Sequence, residues 1–203
     1  MRLNPHNLKS KAYEKSNNNL SFGRYTPCGR YDYGDAKTTK KNYKKSTSRN
    51  SISRQRNGII NGHTAIDLGL SVRWATENIN ANTSYQTGNW FAWRDYDIAK
   101  KEWGASWRMP TISEWNELIN KCRWIWTGNG YEITGPNGNF IYLPTTGRII
   151  DNGQHVCSNL GFYWTKENVG NGSDAFAFRM WNGGKDFIQQ NYYWCIPVRP
   201  VIR

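Results

Sequence analysis

Between residues 103 and 122, "WGASWRMPTISEWNELINKC", the polarity pattern changes period. Trp115, Leu118, Ile119 and Cys122 fall at i, i+3, i+4 and i+7, while Asn116, Glu117, Asn120 and Lys121 take the other side. This is the stripe of a short amphipathic helix. Pro110 stops the preceding run, the Thr111 hydroxyl can receive a free amide of the first turn, and Glu114 can reach back to the Thr111 amide. That capping-box pattern predicts a helix starting at Thr111 or within a residue or two of it. The stripe needs a large apolar surface to pack on.

Elsewhere the apolar positions come in short β-prone runs. "HTAIDLGLSVRWATENI" (63–79) reads as one or two strands broken at Gly69, and "GNWFAWRD" (88–95) as a short aromatic strand behind a turn. "RWIWT" (123–127) follows the helix. "GYEITGPNGNFIYLP" (130–144) holds two runs around Gly135-Pro136-Asn137-Gly138, a hairpin signal because Pro presets one turn dihedral and Asn-Gly supplies a positive φ. "GFYWTKEN" (161–168) is another strand, and "DAFAFRMW" and "KDFIQQNYYW" flank Asn182-Gly183-Gly184 as a second hairpin. "CIPVRPV" closes the chain as an edge strand in which Pro197 and Pro200 deny ladder donors. The pattern predicts an α+β domain of short antiparallel strands with one capped helix.

The first sixty residues show neither period. They are rich in Asn, Ser, Thr and Lys, and all 11 tryptophans of the 203-residue chain lie between Trp74 and Trp194. Residues 1–60 carry 14 Lys and Arg against three acids, a net of +11, whereas the remainder carries 13 against 12, a net of +1. This divides the chain into an extended, low-complexity basic arm (1–60) and one folded domain (61–203), the arm lacking the apolar residues to offset its ordering entropy. The N-terminus has no apolar segment of export-signal length and no run approaches a membrane span, so the chain is expected to remain in the cell that makes it or to leave by lysis or within a particle.

Candidate chemistry is sparse. Cys28, Cys122, Cys157 and Cys195 have no metal-ligand or scaffold spacing; four leave a disulfide open, with buried thiols the preferred state. The histidines His6, His63 and His155 are scattered, and His63 and His155 are read as surface or hydrogen-bonded core residues. No nucleophile elbow, phosphate loop or metal cluster is present, so the chain is read as a non-enzyme without cofactor or metal. Trp74, Trp93, Trp107, Trp115 and Trp164 are assigned to the core. The C-terminal hairpin differs in mixing aromatic area with adaptable polar tips. Its candidate ligand-binding residues are Arg179, Trp181, Asn182, Lys185, Asp186, Gln189, Gln190, Asn191, Tyr192 and Tyr193, with an ordinary solvated hairpin as the competing reading. In the arm, Tyr25, Tyr31, Tyr33, Lys40, Lys41, Lys44, Lys45, Arg49, Arg54 and Arg56 are candidates for contact with an assembly or a nucleic acid, with a plain solubilising linker as the competing reading.

The motifs "NGHTAIDLGLSVRWATENI", "NWFAWRD", "SWRMPTISEWNELINKCRWIWT", "GYEITGPNGNFIYLPTTG", "GFYWTKEN" and "VRPV", in that order, resemble the fibrobacter-type major paralogous domain of Bacteroidetes and related bacteria, over about residues 61–203. The resemblance implies a C-type-lectin-like fold, related to retroelement variable domains, in which the capped helix braces the sheet and ligands are met by loops and the hairpin near the C-terminus. Relatives carry a cysteine where this chain has Glu77, a partner for the one matching Cys122, and usually an export signal; this chain departs in both. The calcium-site triplets of lectins are replaced by "GPN" and "WNG", and no catalytic cysteine pair of the formylglycine-generating relatives can be placed. A basic arm joined to a lectin-like domain is the layout of a virion component, a head-fibre, capsid or tail decoration protein of a phage with a Bacteroidetes host. The partners expected are virion proteins through the arm, a second copy of the chain, and a glycan or host surface protein at the hairpin. A nucleic-acid-binding protein using the arm and a bacterial surface adhesin are the alternatives.

Overall fold

The computed structural model describes residues 57–94 and 96–203. In chain order the elements begin with β1 (Gly58–Ile60), β2 (His63–Ile66), β3 (Arg73–Ala75), β4 (Phe91–Ala92), α1 (Ile98–Trp103) and α2 (Ile112–Lys121). Then come β5 (Arg123–Trp126), β6 (Gly130–Thr134), β7 (Phe140–Pro144), β8 (Arg148–Ile149) and β9 (His155–Val156). The last are β10 (Gly161–Asn168), β11 (Asp174–Trp181), β12 (Gly184–Asn191), β13 (Cys195–Ile196) and β14 (Val201–Ile202). All pairings are antiparallel, in four small sheets ordered β1-β2-β3-β14, β4-β13-β8-β9, β5-β6-β7 and β10-β11-β12. This is an α+β arrangement of short strands with two helices among the described residues.

The β10-β11-β12 sheet is central because both of its faces are covered. Alternation along the strands puts Phe162, Trp164, Ala175, Ala177 and Ile188 on one face and Tyr163, Phe178, Met180 and Phe187 on the other. The first set joins a core with Trp93, Trp107 and the α1 residues Ile98, Ala99 and Trp103. The second joins a core with Trp74, Leu143 and the α2 residues Trp115 and Leu118. Each helix therefore lies on one side of the sheet, and the five tryptophans assigned to the core are buried there. Trp115 stacks on Phe178 with centroids 4.4 Å apart and meets Trp74 edge-on at 4.7 Å.

The N-terminus of α2 shows why this stretch folds as a helix and how it holds the sheet. Glu114 N–H donates to the Thr111 hydroxyl (3.2 Å) and Thr111 N–H to the Glu114 carboxylate (2.9 Å), completing the capping box. Arg108 pairs with the same carboxylate. Glu167, near the end of β10, receives the Ile112 N–H at 3.1 and 3.2 Å, and Lys166 N–H donates to the Pro110 carbonyl (2.9 Å). Helix and sheet thus share the groups that satisfy the first turn.

Four expectations need correction. Gly58–Ile60, placed in the arm, form β1 and pair with β2, so the folded domain starts a few residues earlier than 61. The "CIPVRPV" run is not one edge strand: β13 lies between β4 and β8, β14 pairs with β3, and the prolines occupy the connection. Arg199 within that connection is wholly buried, with Nε on Asn78 Oδ1 (2.7 Å) and Nη1 on the carbonyls of Ala75 (3.1 Å) and Thr76 (2.7 Å). Burial pulls its guanidinium down to about 10. The helix α1 was not expected, and "GNWFAWRD" supplies only the two residues of β4. No helix among the described residues is long and apolar enough to cross a membrane.

Candidate functional site

The β11–β12 hairpin pairs over its full length, from Trp181↔Gly184 at the turn to Asp174↔Asn191 at the base. At roughly 3.3 Å per residue its eight-residue strands separate the two ends by about 26 Å. The turn is closed by Asn182 and Gly183, and Gly183 alone of the two has a positive φ, +93°. Gly184 is required for a different reason. A Cβ there would lie 2.3 Å from the Trp181 ring, so the indole rests directly on the Gly184 backbone.

The ten candidate ligand residues do not form one surface. Arg179 and Asp186 face each other across the ladder, with Nε to Oδ1 at 2.9 Å, and the hydrogen bond to Asp186 raises the Arg179 pKa. The Arg179 guanidinium carbon stands 5.3 Å from the Trp181 centroid. Lys185 points to the opposite face, with Nζ 4.7 Å from the Trp124 centroid and 5.7 Å from that of Tyr131, and desolvation lowers its pKa. Gln190 is buried and receives Arg148 Nη1, while its amide donates to the Gln189 carbonyl (2.6 Å); Gln189 itself is exposed. Asn191 shapes the following turn by accepting the Tyr193 N–H (3.0 Å). Tyr192 stacks on Trp93, centroids 4.7 Å apart, and Tyr193 is 65% exposed.

What the structure brings together instead are two open clefts, one at each end of the hairpin. The turn-end cleft, about 520 Å³, joins Trp181 and Asn182 to Trp126, Gly128 and Asn129 of the β5–β6 loop and to Thr145, Ser158, Asn159 and Leu160. The base-end cleft, about 490 Å³, joins Tyr192 and Tyr193 to Trp93, Arg94, Asn168, Gly170 and Gly172. Both volumes fall in the range of small-ligand sites. The loop residues were missed by sequence reasoning, their only signal being short Gly/Asn/Ser-rich connections between strands. The ten candidate contacts in the arm, from Tyr25 to Arg56, lie outside the described residues.

Among the described residues the other titratable groups are held singly. His63 stacks on Trp103 at 3.6 Å, and burial lowers its pKa against the opposing pull of Glu77. His155 Nε2 bonds the Thr146 carbonyl at 2.9 Å. Cys122 is a free, half-buried thiol pushed up to about 11 by burial, and Cys157 is free and exposed. Cys195 is wholly buried and disulfide-bonded, so the expectation of buried thiols fails there. Among the described residues no group of three or more His, Cys, Asp or Glu could hold a metal ion. Comparison with family models, with curated proteins and with solved structures finds no match for this chain.

Proposed function

We propose that this chain is a structural or decoration protein of a phage virion, in which the basic arm docks on the particle and a C-type-lectin-like domain projects to bind a glycan or a host surface protein. The observation that carries the reading is the position of the two clefts. They open at the ends of a hairpin whose body is fixed between two cores and braced by a helix on each side. Rigid scaffold with ligand-sized openings at its loops is the economy of a binding module. The split in charge, +11 on the arm and +1 on the rest, supports separate anchoring and binding parts, with Tyr25, Tyr31 and Tyr33 as aromatic anchors and the lysines as screened, wet ones. The same arm favours a second reading, a nucleic-acid-binding protein in which the domain is dispensable.

Mass spectrometry of gradient-purified phage particles and of host fractions tests the reading. The protein is expected in the particle fraction, and a chain lacking residues 1–56 is expected in the soluble fraction of infected cells. Recovery only with host DNA, released steeply by salt, would replace the first reading with the second, and recovery only in the host envelope would favour an adhesin.

A further inference from the structure

The turn-end cleft has a chemistry of its own. Its nine described lining residues carry no charge: two tryptophans, three asparagines, a serine, a threonine, a glycine and a leucine. The Arg179 guanidinium over Trp181 is held in a two-pronged pair by Asp186. The side chains of Asn129, Thr145, Ser158, Asn159 and Asn182 make no hydrogen bond with any described residue, and all but the half-buried Thr145 are exposed.

The walls are fixed in advance. The Tyr131 hydroxyl donates to the Trp181 carbonyl (2.9 Å) and receives the Gly183 N–H (3.2 Å), while Trp126 meets the Tyr131 ring edge-on at 4.9 Å. One side chain therefore holds both indole-bearing walls. Thr145 N–H donates to the Asn129 carbonyl (2.8 Å), and the Leu160 carbonyl receives the N–H groups of Thr146 (3.0 Å) and Gly147 (2.9 Å). Both polar loops are tied to the strands by backbone bonds, which leaves their side chains unengaged. A ligand entering such a cleft has little ordering of the protein to oppose it.

From this geometry we infer that the turn-end cleft binds a neutral saccharide. A pyranose offers a face of slightly positive C–H groups that suits the negative face of an indole, and a rim of hydroxyls, each both donor and acceptor. Primary amides, which offer both roles on one planar group, match vicinal hydroxyls; the absence of a cation among the described lining residues disfavours uronic or sialic acids. The inference rests on the reading of the domain as a binding module and adds the ligand class and the place.

The test uses the full chain and neutral hexasaccharides of glucose, mannose and N-acetylglucosamine, with oligogalacturonate as the acidic probe, by saturation-transfer NMR and titration calorimetry at millimolar ligand. At least one neutral probe is expected to bind, with no effect of a chelator. Trp181→Ala is expected to weaken it about tenfold, the worth of a lost aromatic face. Asn159→Ala and Asn182→Asp are exposed changes that keep the fold, and each is expected to weaken binding severalfold; Tyr193→Ala, in the other cleft, is expected to leave it unchanged. Binding of none of the neutral probes, or of oligogalacturonate alone, overturns the saccharide class without touching association with particles. Neutral binding abolished by Tyr193→Ala and indifferent to the turn-end variants overturns the place and leaves glycan binding standing.

Discussion

The two ends of the β11–β12 hairpin are made of similar residues and yet are built differently. At the turn, the walls arrive from strands 50 residues apart and are locked through the Tyr131 hydroxyl, under backbones that pass too closely for any side chain. At the base, Tyr192 stacks on Trp93, and the 169–173 loop runs through Gly170 and Gly172, both at positive φ with open space where a Cβ would stand. That end is secured from outside, through Glu167 and Pro110 at the start of α2. One end is held by tight approach, the other by a helix terminus. A segment rich in aromatic and amide side chains therefore does not specify a site by its composition. What reaches it from elsewhere decides which of its residues meet a ligand.

The largest expected effect separates a glycine that is both crowded and at positive φ, Gly130, from one at positive φ alone, Gly183. A Cβ at Gly130 would sit 2.2 Å from the Leu143 carbonyl oxygen and 2.7 Å from the Tyr142 hydroxyl, both part of the β6–β7 ladder. Gly130→Ala is expected to destabilise by about 3 kcal/mol, read in denaturant melts. Gly183→Ala, at φ +93° but with nothing within 4 Å of the new methyl, is expected to cost only about 1 kcal/mol. Equal losses would mean that close approach is not what shapes the turn end. Next in size, Tyr131→Phe deletes the hydroxyl that joins Trp181 to Gly183, for about 1–2 kcal/mol. Hydrogen exchange of the Gly183 amide should quicken while the Tyr192–Trp93 stack, followed by ring chemical shifts, stays in place. A change at both ends would show the hairpin to move as one body.

Much of the scaffold is legible along the chain because it obeys local rules. The capping box at Thr111, the Pro136-containing turn and the Asn182-Gly183 turn each state their geometry within four residues, and the tryptophan distribution locates the cores. The two-residue strands β4, β8, β9, β13 and β14 carry no periodicity to read, and α1 has only Ala99 and Trp103 at helical spacing. Its cap is also shared, since Asp97 receives the N–H groups of Ala99 (3.1 Å) and Met109 (3.0 Å). Alternation failed at the hairpin for a physical reason: both faces of the central sheet are covered, so Lys185 and Gln190 are polar without facing solvent freely. The cleft was unreadable because Trp126, Asn129 and Asn159 join the hairpin only through non-local pairing.

The base end can be loosened through α2. Thr111→Ala removes one cap hydrogen bond and should cost about 1 kcal/mol. Acid should act on the same junction. Burial alone would raise the Glu114 pKa, but its bonds to Arg108 and Thr111 prevail and hold it below the ordinary carboxylate value. A depressed folded pKa gives a contribution present above the unfolded pKa and lost as pH falls through the folded one, so the loss should set in below about pH 4.5. Glu114→Gln should flatten that limb of the stability–pH curve. Persistence of the same acid limb in the variant would move its origin away from the helix terminus.

The smallest effect concerns Lys185, the one candidate residue on the far face of the turn end. Its ammonium gains from the rings of Trp124 and Tyr131, by about 0.5–1 kcal/mol for a partly exposed cation–π pair, and loses hydration in the same place. Desolvation by burial lowers its pKa. Lys185→Met keeps most of the apolar stem and should change stability at neutral pH by no more than about 0.5 kcal/mol. The sign with pH is distinctive. Between the lowered folded pKa and the unfolded one the unfolded chain binds more protons, so wild-type stability should rise with pH there relative to the methionine variant. A loss of more than about 1 kcal/mol at neutral pH, or the opposite slope, would make the Lys185 charge a support of the turn-end walls, and the contrast between a turn end held by close approach and a base held by a helix terminus would fail.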